Sequence, residues 1–225
     1  MTPIRKLQAW ILVLCAATLA GCASNQSATV DEWDGLVRTP GTRIDAVFLK
    51  PGVVISDFNS VLLDPVEVSF ASNWDPNQRQ RSSARRLNSN DVAAIQTGLA
   101  DMFRETFRAN LASGGFDLVD EVGPETLRVT AAIVNLYVTA PDTMSAGRSR
   151  TYTANSGQMT LVAELRDSVT GELLGRVVDT RRGRSTGMMQ FTNNVTNTAD
   201  ARRAIGVWAT ALRQGLDEVY GRPTN

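Results

Sequence analysis

The feature that most constrains this chain lies at its beginning. Arg5 and Lys6 give a positive start, an apolar run extends from Ala9 to Ala20, and Gly21-Cys22 precedes polar Ser24-Asn25-Gln26-Ser27. A charged head, an apolar middle and small residues before a cut are the layout of a secretory signal. A membrane-spanning helix needs roughly 20 apolar residues to cross the hydrocarbon core, and this run is shorter. The folded protein is therefore expected to begin near Cys22.

An ordinary signal ends in an Ala-x-Ala-like site, whereas Leu19-Ala20-Gly21-Cys22 resembles the lipobox of bacterial lipoproteins. That resemblance implies cleavage between Gly21 and Cys22, diacylglycerol on the Cys22 sulfur and an acyl chain such as palmitate on its amine. One acyl chain holds a protein marginally, and two or more hold it stably. Ala23 and Ser24 follow, with no aspartate, which resembles the outer-membrane address of Gram-negative lipoproteins. The expected organisation is a signal peptide over 1–21, a lipidated tether over 22–41 and one periplasm-facing domain over 42–225.

Removing the signal leaves 204 of the 225 residues, enough for one domain with a sizeable core. The mature part carries 21 basic against 23 acidic residues, so no nucleic-acid partner is expected. Cys15 leaves with the signal and Cys22 is consumed by lipid, so no disulfide forms within one mature chain. Histidine is absent, which removes Ser-His-Asp and Cys-His catalysis and His-ligated metals. Lys50 is the only lysine of the mature part, leaving little for Schiff-base or phosphate-loop chemistry. No enzyme activity, cofactor or metal is expected.

Along the chain, Asp31 to Ser56 is rich in Gly, Pro and Asp and reads as surface wrapping. Val61 to Phe70 is the first convincing strand, with Pro65 marking an edge or bulge because proline cannot donate to a ladder. Ser89 or Asn90 caps a helix whose apolar positions Val92, Ile95, Leu99, Met102, Phe103, Phe107 and Leu111 recur at spacings of three and four. Gly114-Gly115 ends it. A short strand follows at Phe116 to Val119, then a longer one from Leu127 to Val138 whose apolar phase switches near Asn135, which predicts a bulge. Gln158 to Asp167 alternates cleanly, turns through Ser168-Val169-Thr170-Gly171-Glu172, and returns over Leu173 to Thr180. A last helix carries the stripe Ala201, Ile205, Trp208, Leu212, Leu216 and Val219.

The predicted fold is α/β (α+β): a single mixed sheet of about five strands in the order β-α-β-β-β-β-α. The helix between the first two strands makes them a parallel pair, and the later strands form an antiparallel meander. Two one-sided helices pack most economically on one sheet face, leaving the other for water or a partner.

Candidate site residues are few. Gly183-Arg184-Ser185-Thr186-Gly187 matches the elbow of serine hydrolases, but a long polar loop follows and no histidine exists, so it reads as a loop. The pairs Asp120-Glu121 and Asp217-Glu218 point apart and read as solvated charge. Asp64 and Asp167 sit beside strands and read as carboxylates bonding backbone at a bulge and a turn. Arginines gather in three loops: Arg79, Arg81, Arg85 and Arg86; Arg148 and Arg150; Arg181, Arg182 and Arg184. Guanidinium forks suit phosphate, so these are candidate anion-binding loops for a lipid headgroup, a glycan or an acidic protein.

Asp34-Gly35-Leu36, Leu62-Leu63-Asp64-Pro65-Val66, Asp167-x-x-Thr170-Gly171-Glu172 and Trp208 recur in this order in one group. By these motifs the chain resembles an uncharacterised Gram-negative lipoprotein family, domain of unknown function thirty-three thirteen, over roughly Asp31 to Tyr220. The family brings no catalytic residues. More distantly, the element order resembles the domain shared by the amino-terminal part of TolB and CsgG. Together these features lead us to expect a non-enzymatic envelope lipoprotein, anchored to the membrane through Cys22 and acting on an envelope protein or on copies of itself. The alternative is a binding module for an anionic lipid, glycan or small molecule through the arginine loops.

Overall fold

The fold is organised on one long strand, Thr126–Val138, which the computed structural model places near the middle of a nine-stranded mixed sheet. The structure describes residues 32–40, 44–75, 77, 86–138, 157–183 and 197–222, and the backbone path of 151–153, 190–192 and 194–196. In chain order the strands are β1 (Glu32–Trp33), β2 (Leu36–Arg38), β3 (Ala46–Leu49), β4 (Ser60–Leu63), β5 (Glu67–Phe70), β6 (Asp117–Val119), β7 (Thr126–Val138), β8 (Thr151–Thr153), β9 (Gly157–Asp167), β10 (Leu173–Arg182) and β11 (Gln190–Thr192). The helices are α1 (Ser89–Ser113) and α2 (Asn194–Val219). The sheet runs β1-β2-β3-β10-β9-β7-β4-β6, with β5 also on β7, while β8 and β11 form a separate two-stranded ribbon.

β4 and β5 both pair parallel with β7, at its start and its end, and the break between them falls at Asp64-Pro65-Val66, where the proline interrupts the ladder. β4 also pairs parallel with β6 across the α1 connection, and β7, β9 and β10 form the expected antiparallel meander. The predicted bulge is at Asn135, in left-handed backbone at φ 52°, where the register slips between Val134 and Tyr137. Leu127, Val129, Ala131 and Ile133 face the helices before it, and Leu136 does after it.

Both helices pack on that one face. Leu99, Phe103 and Phe107 of α1 and Ile205, Trp208 and Ala209 of α2 close over Ala131, Ile133, Met159, Leu161 and Ala163. A second cluster continues below, where Leu111, Phe116 and Leu216 meet Leu127, Val129, Leu165 and Leu174. The helices run side by side in the same direction. Asp91 to Met102 and Asn197 to Ala204 line one cavity, Thr210 reaches Asn110 at 3.3 Å, and Arg213 lies beside Gly114.

Four expectations need correction. Among the described residues the strands number nine in the main sheet, not about five, because β1, β2 and β3 are too short to alternate legibly and the single strand expected over Val61 to Phe70 is divided into β4 and β5. Part of the stretch read as tether belongs to this sheet: a turn at Asp34-Gly35, both at positive φ, folds β1 onto β2 and buries Leu36 to 1% exposure. The α1 cap is Asn88, whose side chain accepts from the Asn90 and Asp91 amides while Asp91 accepts from the Asn88 amide. Val219 is exposed, and the α2 stripe ends at Leu216.

Candidate binding surfaces

The sheet face turned away from the helices is built in rows. Ala132, Val162, Val178 and Ala46 stand opposite one another across β7, β9, β10 and β3, all half-buried, and among the described residues neither helix covers them. Beside this row the Thr160 and Thr180 hydroxyls lie 3.0 Å apart. On its other side is a charged row. Arg128 donates to Asp64 Oδ2 at 2.8 Å. Arg166 donates to Glu164 at 2.7 and 3.0 Å, Arg176 donates to the same carboxylate at 2.8 Å, and Arg176 reaches Asp34 at 2.7 Å. The Arg176 guanidinium also lies 4.2 Å over the Trp33 ring.

These pairings set the protonation equilibria. Burial pushes the Glu164 carboxyl up, but the hydrogen bonds from Arg176 and Arg166 outweigh it and hold the group below its ordinary value. Burial draws Arg176 down, and its bonds to Asp34 and Glu164 more than restore it, leaving it raised. The bond to Asp64 raises Arg128.

On the helix side, at the amino-terminal ends of both helices, lies a cavity of about 440 Å³. Its walls are Leu87, Ala94, Ile95, Gly98, Leu99 and Met102 from the α1 side, Leu136, Val138 and Met159 from the sheet, and Ala201 and Ala204 from α2. Asp91, Gln158, Arg181, Arg182, Asn197, Thr198 and Asp200 are also in the lining. Beside it, on the core-facing side of β10, is Asp179, fully buried. Its carboxylate accepts from the Trp208 indole at 2.7 Å, the Asp45 amide at 2.9 Å and Arg181 Nε at 2.5 Å. A buried carboxylate requires such donors, because an unpaired charge there would be prohibitively costly.

Of the predicted site residues, Cys22 and the Gly21 cleavage position lie outside the described residues, as do Arg79, Arg81, Arg85, Arg148, Arg150 and Arg184, and with Arg184 most of the elbow-like motif. Arg86 is exposed just ahead of the α1 cap. Arg181 and Arg182 are not in a loop as expected: they are the last residues of β10, paired with Met159 and Gln158, because the hairpin ladder extends to its very end. Asp167 does bond turn backbone, accepting from the Val169 and Thr170 amides at 2.8 Å each, and the Thr170 amide bond leads in lowering its carboxyl. Asp64 does not: its carboxylate takes Arg128 and the Thr130 hydroxyl, both at 2.8 Å. Asp217 is buried at 2% exposure on Arg213, 2.5 Å away, so only its neighbours fit the reading of solvated charge.

Sequence reasoning missed Asp179, Glu164, Arg166 and Arg176. The available signal for Asp179 was its place in β10, two residues from core-facing Val177 in an alternating strand, where an acid demands a partner.

The family model described as "Protein of unknown function (DUF3313)" matches residues 25–212. No curated protein matches the chain. Among solved structures, a Xanthomonas campestris protein of family DUF330 is 15% identical, with 80% of this chain and 93% of that one covered at a TM-score of 0.43. The PelC dodecamer of Paraburkholderia phytofirmans is 12% identical, with 72% and 93% covered at a TM-score of 0.32. A minor lipoprotein of Acinetobacter baumannii is 9% identical, with 71% and 94% covered at 0.34.

Proposed function

The chain belongs to the DUF3313 family, whose description assigns no activity, and from that premise we propose that it is a non-enzymatic envelope lipoprotein that works through protein contacts made on its open sheet face. The observation carrying this reading is the row Ala132, Val162, Val178 and Ala46: a low-relief, half-buried strip four strands wide, with no helix of the described residues over it. A sheet buried on one side commonly presents polar residues to water on the other, and small apolar side chains in register are better suited to another protein surface. The occupant is an envelope protein or a second copy of this chain. The proposal retains lipidation at Cys22, an outer-membrane, periplasm-facing location and the likeness to the TolB amino-terminal and CsgG-type domain. Among the described residues no helix is long and apolar enough to cross a membrane, which is compatible with attachment by lipid.

The test is photo-crosslinking in intact cells with the reactive residue at Val162 or Val178, and at exposed Glu105 on α1 as the comparison. Discrete higher-mass species are expected from the two sheet positions and not from Glu105. Equal yields from all three, or none from the sheet, would remove the reading. Cys22→Ser should shift the protein out of the membrane fraction.

A further inference from the structure

The three most exposed large hydrophobic side chains among the described residues are Val169, Val122 and Val54, at 64%, 60% and 52% exposure. They belong to three different loops: the β9–β10 turn, the connection from β6 to β7, and the segment from β3 to β4. Strand register brings all three to one end of the sheet, where β4, β7 and β10 start and β3 and β9 finish. The loops are also bonded to one another. Ser168 Oγ donates to the Gly123 carbonyl at 2.8 Å and accepts from the Gly123 amide at 3.2 Å, so Val169 and Val122 each stand one residue from that joint. The segment carrying Val54 is fastened at both ends: Lys50 pairs with Glu172, and Asn59 donates to the Glu125 carbonyl at 2.8 Å and its carboxylate at 2.6 Å. Local turn chemistry does not call for valine. Val169 is at the tip of a turn made by Asp167 and by Gly171 at φ 72°, a place that ordinarily takes Gly, Asn, Asp or Ser. One exposed valine is ordinary, but three on loops bonded together give one end of the molecule an apolar surface.

The charge of this end decides what suits it. Asp57, Glu121 and Glu125 are exposed and in no ion pair among the described residues. Of the neighbouring cations, Lys50 is taken up by Glu172 and Arg108 by Asp120, while Arg222 is held over the Phe116 and Tyr220 rings. Such a field repels an anionic lipid surface and draws in a partner with basic side chains. We propose that this end docks a protein segment whose apolar side chains are flanked by lysine or arginine. The valines supply the contact and the free carboxylates supply the steering. Because hydrogen bonds already hold the loops in place, docking loses little ordering entropy. The surface is the end of the sheet and not its open face, so the proposal goes beyond the protein-contact reading above and does not depend on it.

The experiment is fluorescence anisotropy of a labelled peptide of alternating lysine and leucine, titrated with the full chain carrying Cys22→Ser. Counterparts with glutamate in place of lysine, and with serine in place of leucine, are the comparisons. Saturable binding of the lysine–leucine peptide is expected at low salt, at least ~10-fold tighter than either counterpart and weakening as salt rises. Val122→Ser with Val169→Ser removes apolar contact and no charge, whereas Glu121→Gln with Glu125→Gln removes charge and leaves the valines. Each pair should weaken the peptide at least ~10-fold with circular dichroism and melting temperature unchanged, as exposed positions allow. Val54→Ser repeats the test from the third loop if either pair folds poorly. Absence of saturable binding, equal affinity for the serine counterpart, undiminished affinity in a folded valine variant, or valine-dependent binding to phosphatidylglycerol vesicles would each overturn the proposal.

Discussion

Trp208→Phe isolates the bond that ties α2 to β10. The indole nitrogen is 2.7 Å from Asp179 Oδ2, with Trp208 at 2% exposure and Asp179 at zero, so water cannot replace the lost donor. A hydrogen bond to a charged group contributes about 1.5–3 kcal/mol. The missing ring adds a void larger than a methyl group, about another 1 kcal/mol. The expected loss is therefore about 2.5–4 kcal/mol, which for a domain of this size lowers the melting temperature by roughly 5–16 °C. Urea unfolding followed by far-UV circular dichroism measures it without relying on the tryptophan removed. A double-mutant cycle with Asp179→Asn separates bond from void: the two costs should fail to add by at least ~1 kcal/mol, since the residues share one interaction. A loss below about 0.5 kcal/mol, the size of an ordinary surface substitution, or strict additivity in the cycle, would refute the assignment of Trp208 as the partner of the buried acid.

Three further outcomes are expected. Gly157 sits at φ 144° with a built Cβ only 2.4 Å from the Tyr137 carbonyl oxygen, so Gly157→Ala should cost about 2–3 kcal/mol in urea unfolding; a neutral result would mean that the β7–β9 pairing relaxes freely there. Asn88→Ala removes the side-chain acceptor for the Asn90 and Asp91 amides, at 2.8 and 3.1 Å, and should cost about 1 kcal/mol, with Asn88→Ser restoring most of it. Glu164 is held below its ordinary value, as is Asp167. The folded state therefore binds those protons later than the unfolded chain, and their stabilisation is complete above a carboxylate pKa of about 4 and lost as pH falls below it. Glu164→Gln should flatten that acid limb of a stability–pH profile, and an unchanged limb would show that the Arg166–Glu164–Arg176 group does not contribute.

What was legible in the sequence is what local periodicity encodes. The α1 stripe at three- and four-residue spacing, the alternation of β9 and the phase slip at Asn135 each reflect contacts with one neighbouring layer, and each is present in the fold. β1, β2 and β3 were not legible because two to four residues are too few to set a period, and their burial comes from partners far along the chain: Phe48 stands opposite Arg176, and Trp33 packs edge-on to Phe48. The same reason hid the charged row. Asp34, Asp64, Arg128, Glu164, Arg166 and Arg176 come from five separate segments, and only strand register brings them together. Where the sequence pointed to single residues it did so without their partners: Trp208 stood out, whereas the acid that explains it, Asp179, lay unremarked in β10. The helix-side cavity left still less trace, since its walls come from two helices and three strands far apart in the chain.

The charge balance of the open face bears on what it can bind. Arg128 and Arg166 stand directly opposite each other on β7 and β9, a like-charge pairing that would disfavour the register if left alone. Each is answered by its own carboxylate, Asp64 and Glu164, and Arg176 by Glu164 together with Asp34. Three guanidiniums and three carboxylates leave the row without net charge. Such a row lacks the uncompensated positive field that captures nucleic acid or anionic lipid surfaces. It also fixes the guanidiniums in place, so that a partner meeting the neighbouring Ala132–Val162–Val178–Ala46 strip encounters a rigid, neutral border. On the proposed reading of that face as a protein-contact surface, selection would come from shape and from the placement of individual hydrogen-bonding groups, with long-range attraction a minor part of it.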